Sequence, residues 1–309
     1  MTAPISVVMP TGGRRPLARS LAAARASAAP VGGELVVAID AAAGPEERAR
    51  VAVEADEAGA GLAVGTRPGA SATRNAGWRA ASAPLVLLVD DDVLLDAGAV
   101  GAHLRAHADG APNRATIGAL RWPSDRRITA FERWVERALQ FGYHEIGPDG
   151  RTGWWHLYTC DCAVRRAALE RVGGLDAERF PFGYEDLDLG LRLHDALGGL
   201  DVRLLPDGGA VHDTRMTLGE WRSRIRRIAR AERTWDAVHP DHPPTLGPRL
   251  RAAAADPTPR AGRWAAAIAD LVPPPLARRD GWLATRAAIW WEHDLAARFV
   301  DEQRRLAAG

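Results

Sequence analysis

The chain has 309 residues, 47% of them hydrophobic and 26% charged, enough to bury one large core or a domain with an appendage. Its forty basic residues, all Arg, nearly balance thirty-nine acidic ones, so no overall positive field favours nucleic acid as a partner. The opening MTAPISVVMP lacks a basic stretch followed by a long apolar one, and no apolar run approaches the ~18 residues that span a bilayer; the expectation is a soluble, cytoplasmic protein, with a peripheral membrane contact left open.

Short apolar runs then alternate with Ala-rich stretches. ISVVM, ELVVAID, GLAVG and PLVLLVD are strand candidates, separated by expected helices over Pro16–Ala28, Glu46–Ala58 and Ala72–Ala81. That rhythm predicts an α/β layer with a mainly parallel central sheet. Ligands of such sheets gather outside the carboxyl ends of the strands, where PTGGRR, IDAAAGP and VDDDV open. Asp90, Asp91 and Asp92 stand in the last of these loops. Carboxylates at alternate positions of a tight turn can share one face with Mg or Mn, although the triplet taken alone also reads as a polar turn.

RITAFERWVERALQF has helical spacing, GPDGRTG is rich in turn residues, and VRRAALERVGG ends a short helix on glycine. Cys160 and Cys162, two apart in one extended strand, are poorly placed to bridge, and no second pair completes a zinc site, so both are read as reduced thiols near a core. In FPFGYEDLDLGLRL, Glu185 and Asp186 stand at a helix start. There Asp186 can act as the cap and Asp188 can pair with Arg192, and capping does not exclude catalysis. His212 follows a further strand candidate, DVRLLP. After Asp213 the strands give way to expected helices over Leu218–Val238, Arg263–Leu271 and Gly281–Leu306, joined by HPDHPPTLGP and VPPPLARRDG. The organisation expected is an α/β domain over 1–216, then a helical C-terminal extension over 217–309.

Taken in order, ISVVMPT, ELVVAID, GASATRNAG, LVDDDVLL, CAVRRAALERVGGLD and FGYEDLDLGLRL resemble the family 2 glycosyltransferases, inverting enzymes of the GT-A fold, over about residues 4–215. The resemblance implies a Rossmann-like nucleotide-diphospho-sugar transferase, of hexosyltransferase type, with 1–216 as the catalytic domain, its nucleotide-sugar half at 1–95 and its acceptor half at 96–216. Asp40 would contact the nucleotide base, with Pro10 and Thr11 lining that pocket, though many members carry Asp-Asp-Gly-Ser where this chain has IDAAAG. Arg74 and Asn75 would shape the nucleotide and diphosphate pocket, Asp90 would face the ribose, and Asp92 and His212 would bind Mn or Mg; Asp91 is counted with the donor residues without a contact of its own. Asp186 matches the family's catalytic base, and Glu185 would orient it or bind acceptor. A UDP-sugar is the donor first expected, with dTDP- and GDP-sugars also used in the family. The acceptor would be a saccharide, lipid-linked or natural-product hydroxyl. The Lys-free, Arg-rich composition fits a GC-rich bacterial source.

The chemistry supports such roles independently. Cleaving a sugar–phosphate bond leaves a diphosphate that a divalent cation and arginines such as Arg74 or Arg215 can stabilise, while the acceptor hydroxyl needs a base within reach. In TGWWHLYTCD, Trp154, Trp155, His156 and Tyr158 form either an acceptor platform or core. Asp161 either touches sugar or acceptor or ties down a turn. EWRSRIRRIARAERTW, with Ile225 and Ile228 on its apolar side, either packs as a solvated helix or meets anionic lipid or a phosphorylated acceptor. Two other functions fit parts of the sequence. A sugar nucleotidyltransferase would call for a Gly-rich phosphate loop that PTGGRRPLARS imitates loosely, and it leaves YEDLDLGLRL unexplained. A catalytically silent nucleotide-sugar-binding protein would be expected to have lost acids that this chain keeps.

Overall fold

In the computed structural model, which describes residues 2–243, 246–256, 262–269 and 281–308, the apolar runs become β1 (Ile5–Thr11), β2 (Glu34–Ile39), β3 (Gly61–Val64) and β4 (Leu85–Val89). Every residue of β1 and β4 is buried, the pattern of strands covered on both faces. The helices between them are α1 (Ala18–Ala28), α2 (Pro45–Glu57) and α3 (Ala70–Ala80). Gly77 lets α3 lie close on β1, because a Cβ there would run into the Val8 side chain.

Further along come β5 (Val93–Leu95), α4 (Ala99–Ala106), β6 (Arg114–Arg121), β7 (Arg151–Thr152), β8 (Asp161–Arg165), α6 (Arg166–Val172), α7 (Glu185–Leu197) and β9 (Asp201–His212), with α5 (Ala130–Val135) between β6 and β7. Among the described residues, nine strands join one sheet of order β3-β2-β1-β4-β8-β6-β9-β5, with β7 paired to β9. Strands β3, β2, β1 and β4 run parallel, as do β6 and β9, and β8 is inserted antiparallel between β4 and β6.

Two of these pairings decide what meets what. The β4–β8 register sets Val89 opposite Asp161, so the start of β8 arrives where β4 ends, and the Asp90 N–H donates to the Cys160 carbonyl at 3.1 Å. The β5–β9 register sets Val93 opposite His212, so β9 ends beside Asp92, whose carbonyl accepts the Asp213 N–H at 2.7 Å. On one face of the sheet, Val8, Val86, Leu88, Cys162 and Val164 pack with Trp78 of α3 and with Leu189 and Leu193 of α7. Burial of such side chains stabilises by roughly 1.5–3 kcal/mol each.

By contacts the chain divides into two units, Met1–Pro123 with Tyr143–Thr214, and Ser124–Gly142 with Arg215–Gly309. The sheet lies wholly in the first. Residues 124–142 group with the C-terminal helices, which the sequence boundary at 216 does not anticipate. The second unit holds α5, α8 (Leu218–Val238), α9 (Leu246–Ala255), α10 (Gly262–Ile268) and α11 (Trp282–Ala308). Capping boxes start α5 (Thr129 with Glu132) and α8 (Thr217 with Glu220). The basic helix α8 buries Trp221, Ile225, Ala229 and Trp235 and pairs Arg222 with Asp294 and Arg230 with Glu302 of α11, which makes it a packed helix. Helix α9 begins inside the proline-rich HPDHPPTLGP, where no helix is expected from sequence. Leu271, the expected end of the helix from Arg263, lies outside the described residues, as does 272–280 of VPPPLARRDG. Among the described residues no helix is long and apolar enough to cross a membrane.

Candidate active site at the carboxyl edge of the sheet

The ends of β1, β2 and β4 place Thr11, Asp40 and the aspartate triplet along one edge. Pro10 is buried within β1. The Thr11 hydroxyl donates to Asp91 Oδ2 at 2.6 Å and accepts the Gly13 N–H at 3.0 Å. Asp40 uses both carboxylate oxygens on backbone, Oδ1 for the Ala42 N–H at 2.7 Å and Oδ2 for the Gly69 N–H at 2.9 Å. It therefore shapes the loop that leads into α3.

The three aspartates have separate partners. Asp90 Oδ1 accepts from Arg74 Nη2 at 2.6 Å. Asp91 lies 3.7 Å from Arg15 Nε, and burial pushes its carboxyl up to about 6, with repulsion from Asp92 and Asp90 adding to the shift and the Thr11 hydrogen bond and Arg15 opposing it. Asp92 lies 3.2 Å from Arg15 Nη1 and 3.4 Å from His212 Nε2. Burial opposes its charge, but His212 and Arg15 prevail and hold its carboxyl below the usual range. The His212 ring, itself buried, stacks on Trp122 with centroids 5.7 Å apart.

Arg74 is 6% exposed and joins the two ends of the site, reaching Asp90 on one side and Glu185 Oε1, at 3.5 Å, on the other. Burial works against its charge, yet Asp90, Asp186 and Glu185 together raise its pKa. The chain enters α7 through Gly183 and Tyr184, both at positive φ (90° and 61°); Tyr184 is the one non-glycine residue in that region among the described residues. Held backbone strain of this kind clusters at functional sites. It delivers Glu185 and Asp186 to Arg74. The Asp186 carboxylate accepts the Thr159 hydroxyl at 2.5 Å and the Thr159 N–H at 3.3 Å. Burial and then repulsion from Glu185 push its carboxyl up to about 7, against Arg74 and Thr159.

Other sequence candidates lie elsewhere. Asn75 spends its amide on the fold: Nδ2 donates to the Leu175 carbonyl at 2.7 Å, and Oδ1 accepts from Trp78 Nε1 at 2.8 Å and from the Leu175 N–H at 3.0 Å. Asp161 is 1% exposed and faces His103 of α4 at 3.2 Å, because β8 is a central strand buried on both faces. The tryptophan pair splits. Trp154 packs against the core, while Trp155 is 51% exposed and lines a cavity of about 490 Å³ with Glu145, Arg151, Thr152, Gly153 and His156. Cys160 and Cys162 are free thiols, with Cys162 in the core. Arg215 belongs to the second unit. Arg15 and Thr159 were not singled out from sequence; the basic residues of PTGGRR, facing an acidic loop across one sheet edge, were the available signal for the first.

Asp92 and His212 can hold a divalent ion in part. A carboxylate oxygen and a ring nitrogen 3.4 Å apart suit Mn, or Mg with its retained waters, provided other oxygens come from a phosphorylated ligand. Among the described residues no group of three or more His, Cys, Asp or Glu side chains could hold a metal unaided.

This architecture is a GT-A-like glycosyltransferase fold. No family model matches the chain. It is similar to a mannosyltransferase from Pyrobaculum calidifontis solved with GDP-Man and Mn2+, at TM-score 0.64 and 17% identity over 98% of this chain and 88% of that one. It is also similar to S. aureus TarS 1–349 in complex with UDP-GlcNAc, at TM-score 0.51 and 14% identity over 99% of this chain and 92% of that one. In sequence it is 29% identical over 155 residues to validoxylamine A glucosyltransferase of Streptomyces hygroscopicus subsp. jinggangensis (strain 5008), covering 40% of this chain and 35% of that protein. The match to the enzyme of subsp. limoneus is alike, so the chain spans about a third of the length of the curated relatives it matches.

Proposed function

We propose that this chain is a glycosyltransferase of family 2 type, moving a hexosyl group from a nucleoside-diphosphate-sugar to an acceptor hydroxyl with inversion. The observation that carries the proposal is Arg74, one buried guanidinium set between Asp90 and Glu185, which ties the aspartate loop to the start of α7. Resemblance to structures that hold GDP-Man and UDP-GlcNAc, and to glucosyltransferases in sequence, supports a nucleotide-sugar donor.

In this account the loop shaped by Asp40, with Pro10 and Thr11, faces the base, Asp90 faces the ribose, and Asp91 is held by Thr11 as part of the donor wall. Arg74 and Arg15 supply positive charge to the diphosphate oxygens. Asp92 and His212 would hold Mn or Mg, which would supply Lewis-acid stabilisation of the leaving diphosphate. Asp186 takes the proton from the acceptor hydroxyl. The acceptor oxygen then bonds to the anomeric carbon on the face opposite the breaking carbon–oxygen bond, whose electron pair leaves on the diphosphate. With its carboxyl at about 7, Asp186 is substantially ionised near neutral pH while remaining basic enough to accept the proton. Glu185 helps to hold Arg74 beside it. Trp155, at the rim of the cavity lined by Glu145 and Arg151, offers an aromatic face to an acceptor ring.

A panel of UDP-, dTDP- and GDP-sugars with MnCl2 tests this by thermal shift. At least one donor should raise the melting temperature, by roughly 2.7 kcal/mol of stabilisation at a hundred times its Kd, and should be slowly hydrolysed. Stabilisation by none of them would contradict the proposal.

A further inference from the structure

Three successive residues at the leading end of β8 bind three different elements. Thr159 gives its hydroxyl and its N–H to the two carboxylate oxygens of Asp186, at the start of α7. The Cys160 carbonyl takes the Asp90 N–H from the loop after β4. Asp161 lies 3.2 Å from His103 of α4, and His103 Nδ1 shares a 2.8 Å hydrogen bond with the Thr116 hydroxyl of β6. Thr159, Asp161, His103 and Thr116 are all 0–1% exposed. β8 is also paired on both sides, to β4 and to β6. This short block therefore cannot shift without moving the aspartate loop and the head of α7 together.

We infer that Thr159 is a positioning residue, fixing Asp186 in one orientation by engaging both of its carboxylate oxygens from a strand end that also anchors Asp90. The inference rests on the reading of Asp186 as the base. A carboxylate held at both oxygens by neighbouring atoms of one residue is pinned about its terminal torsion, which is the alignment a proton acceptor needs. The same two donors favour the ionised form. They act beside the other groups that bear on Asp186: Glu185 on α7, Arg74 on α3, Asp90 after β4, and Tyr158, Cys160 and Cys162 along β8 and its approach. Loss of the hydroxyl removes a contribution that lowers the pKa, so the carboxyl should titrate at higher pH.

Carboxyl-carbon NMR titration of the full chain labelled with 13C-aspartate tests this without a substrate. Asp186→Asn identifies the signal that titrates near 7. In Thr159→Val the midpoint should rise by roughly half a unit, and in Thr159→Ser, which keeps the hydroxyl, it should stay at the wild-type value. An unchanged midpoint in Thr159→Val overturns the inference, and Thr159→Ala serves the same purpose should the valine variant fail to fold. With a donor found by the thermal screen, Thr159→Val should lower kcat about 10-fold, leave the donor KM within about twofold, and move the acid limb of the kcat–pH profile upward. The two levels fail separately. If Asp186→Asn keeps full turnover, the base assignment falls. If Asp186→Asn is inactive while Thr159→Val leaves titration and kcat unchanged, only the role of Thr159 falls.

Discussion

Acidic side chains are buried in both units, but Asp91 and Asp186 of the first are treated unlike the buried acids of the helices. Among the helices, Glu132 is 1% exposed yet held below the usual carboxylate range: burial raises it, but Arg126, Thr129 and the Met216 N–H outweigh burial. Glu232 and Glu302 are likewise matched to Arg251 and Arg230. At the sheet edge Asp91 and Asp186 are pushed up to about 6 and about 7, because neighbouring carboxylates add to burial and the arginines present do not compensate. A paired buried acid has its charge answered within the fold, whereas acids gathered against their own repulsion mark a candidate functional site.

The largest effect expected from this contrast is on turnover. Asp186→Asn should retain donor binding and lower transfer by about 10²–10⁴-fold, read by steady-state kinetics and donor calorimetry. Unchanged transfer would remove Asp186 from the base role. The same variant should reveal the unsatisfied charge through stability. Because the folded pKa of about 7 lies above the ordinary carboxylate value, the folded protein binds the extra proton between pH ~4 and ~7, and stability falls as pH rises through that window. Asn removes the penalty, so the gain in melting temperature should be greater at pH 8.5 than at pH 5; a gain independent of pH would show that Asp186 is not held against its charge.

Glu132→Ala should behave in the reverse sense. It removes the carboxylate that accepts the Thr129 N–H at the start of α5, Arg126 and the Met216 N–H, and should cost roughly 2–3 kcal/mol in urea unfolding. A loss below about 0.5 kcal/mol would show that the helical unit does not depend on its paired acids. The smallest effect belongs to the periphery. Trp155→Ala should raise the acceptor KM about 10-fold, or about 1.4 kcal/mol, and leave the donor KM unchanged; equal changes in both would argue against an acceptor face.

How far the sequence disclosed this arrangement depended on whether a feature was local. The continuous apolar runs of β1 and β4, the helices between them and the triplet at Asp90–Asp92 were readable because each is settled within a dozen residues. The antiparallel insertion of β8 was not, since strand partners distant in sequence leave no local mark, and Thr159 gains its meaning only through that insertion. Asn75 sits in GASATRNAG, where the resemblance implied a place in the nucleotide and diphosphate pocket, but only the fold shows its amide closing on Leu175 and Trp78. Asp161 could be read from sequence as a sugar or acceptor contact or as the tie of a turn, whereas in the fold it heads a central strand buried on both faces and meets His103. Residues 124–142 had readable helical spacing, but their grouping with the C-terminal helices is a matter of tertiary packing.

The most direct test of the central claim is calorimetry of the donor chosen by thermal screening, run with and without Mn on the wild-type chain and on Asp92→Ala. If the crowded acids form the cation and donor site, Mn should tighten donor binding at least about 10-fold in the wild type, and that gain should disappear in Asp92→Ala. Equal affinity with and without Mn in the wild type, or an undiminished Mn effect in Asp92→Ala, would contradict it.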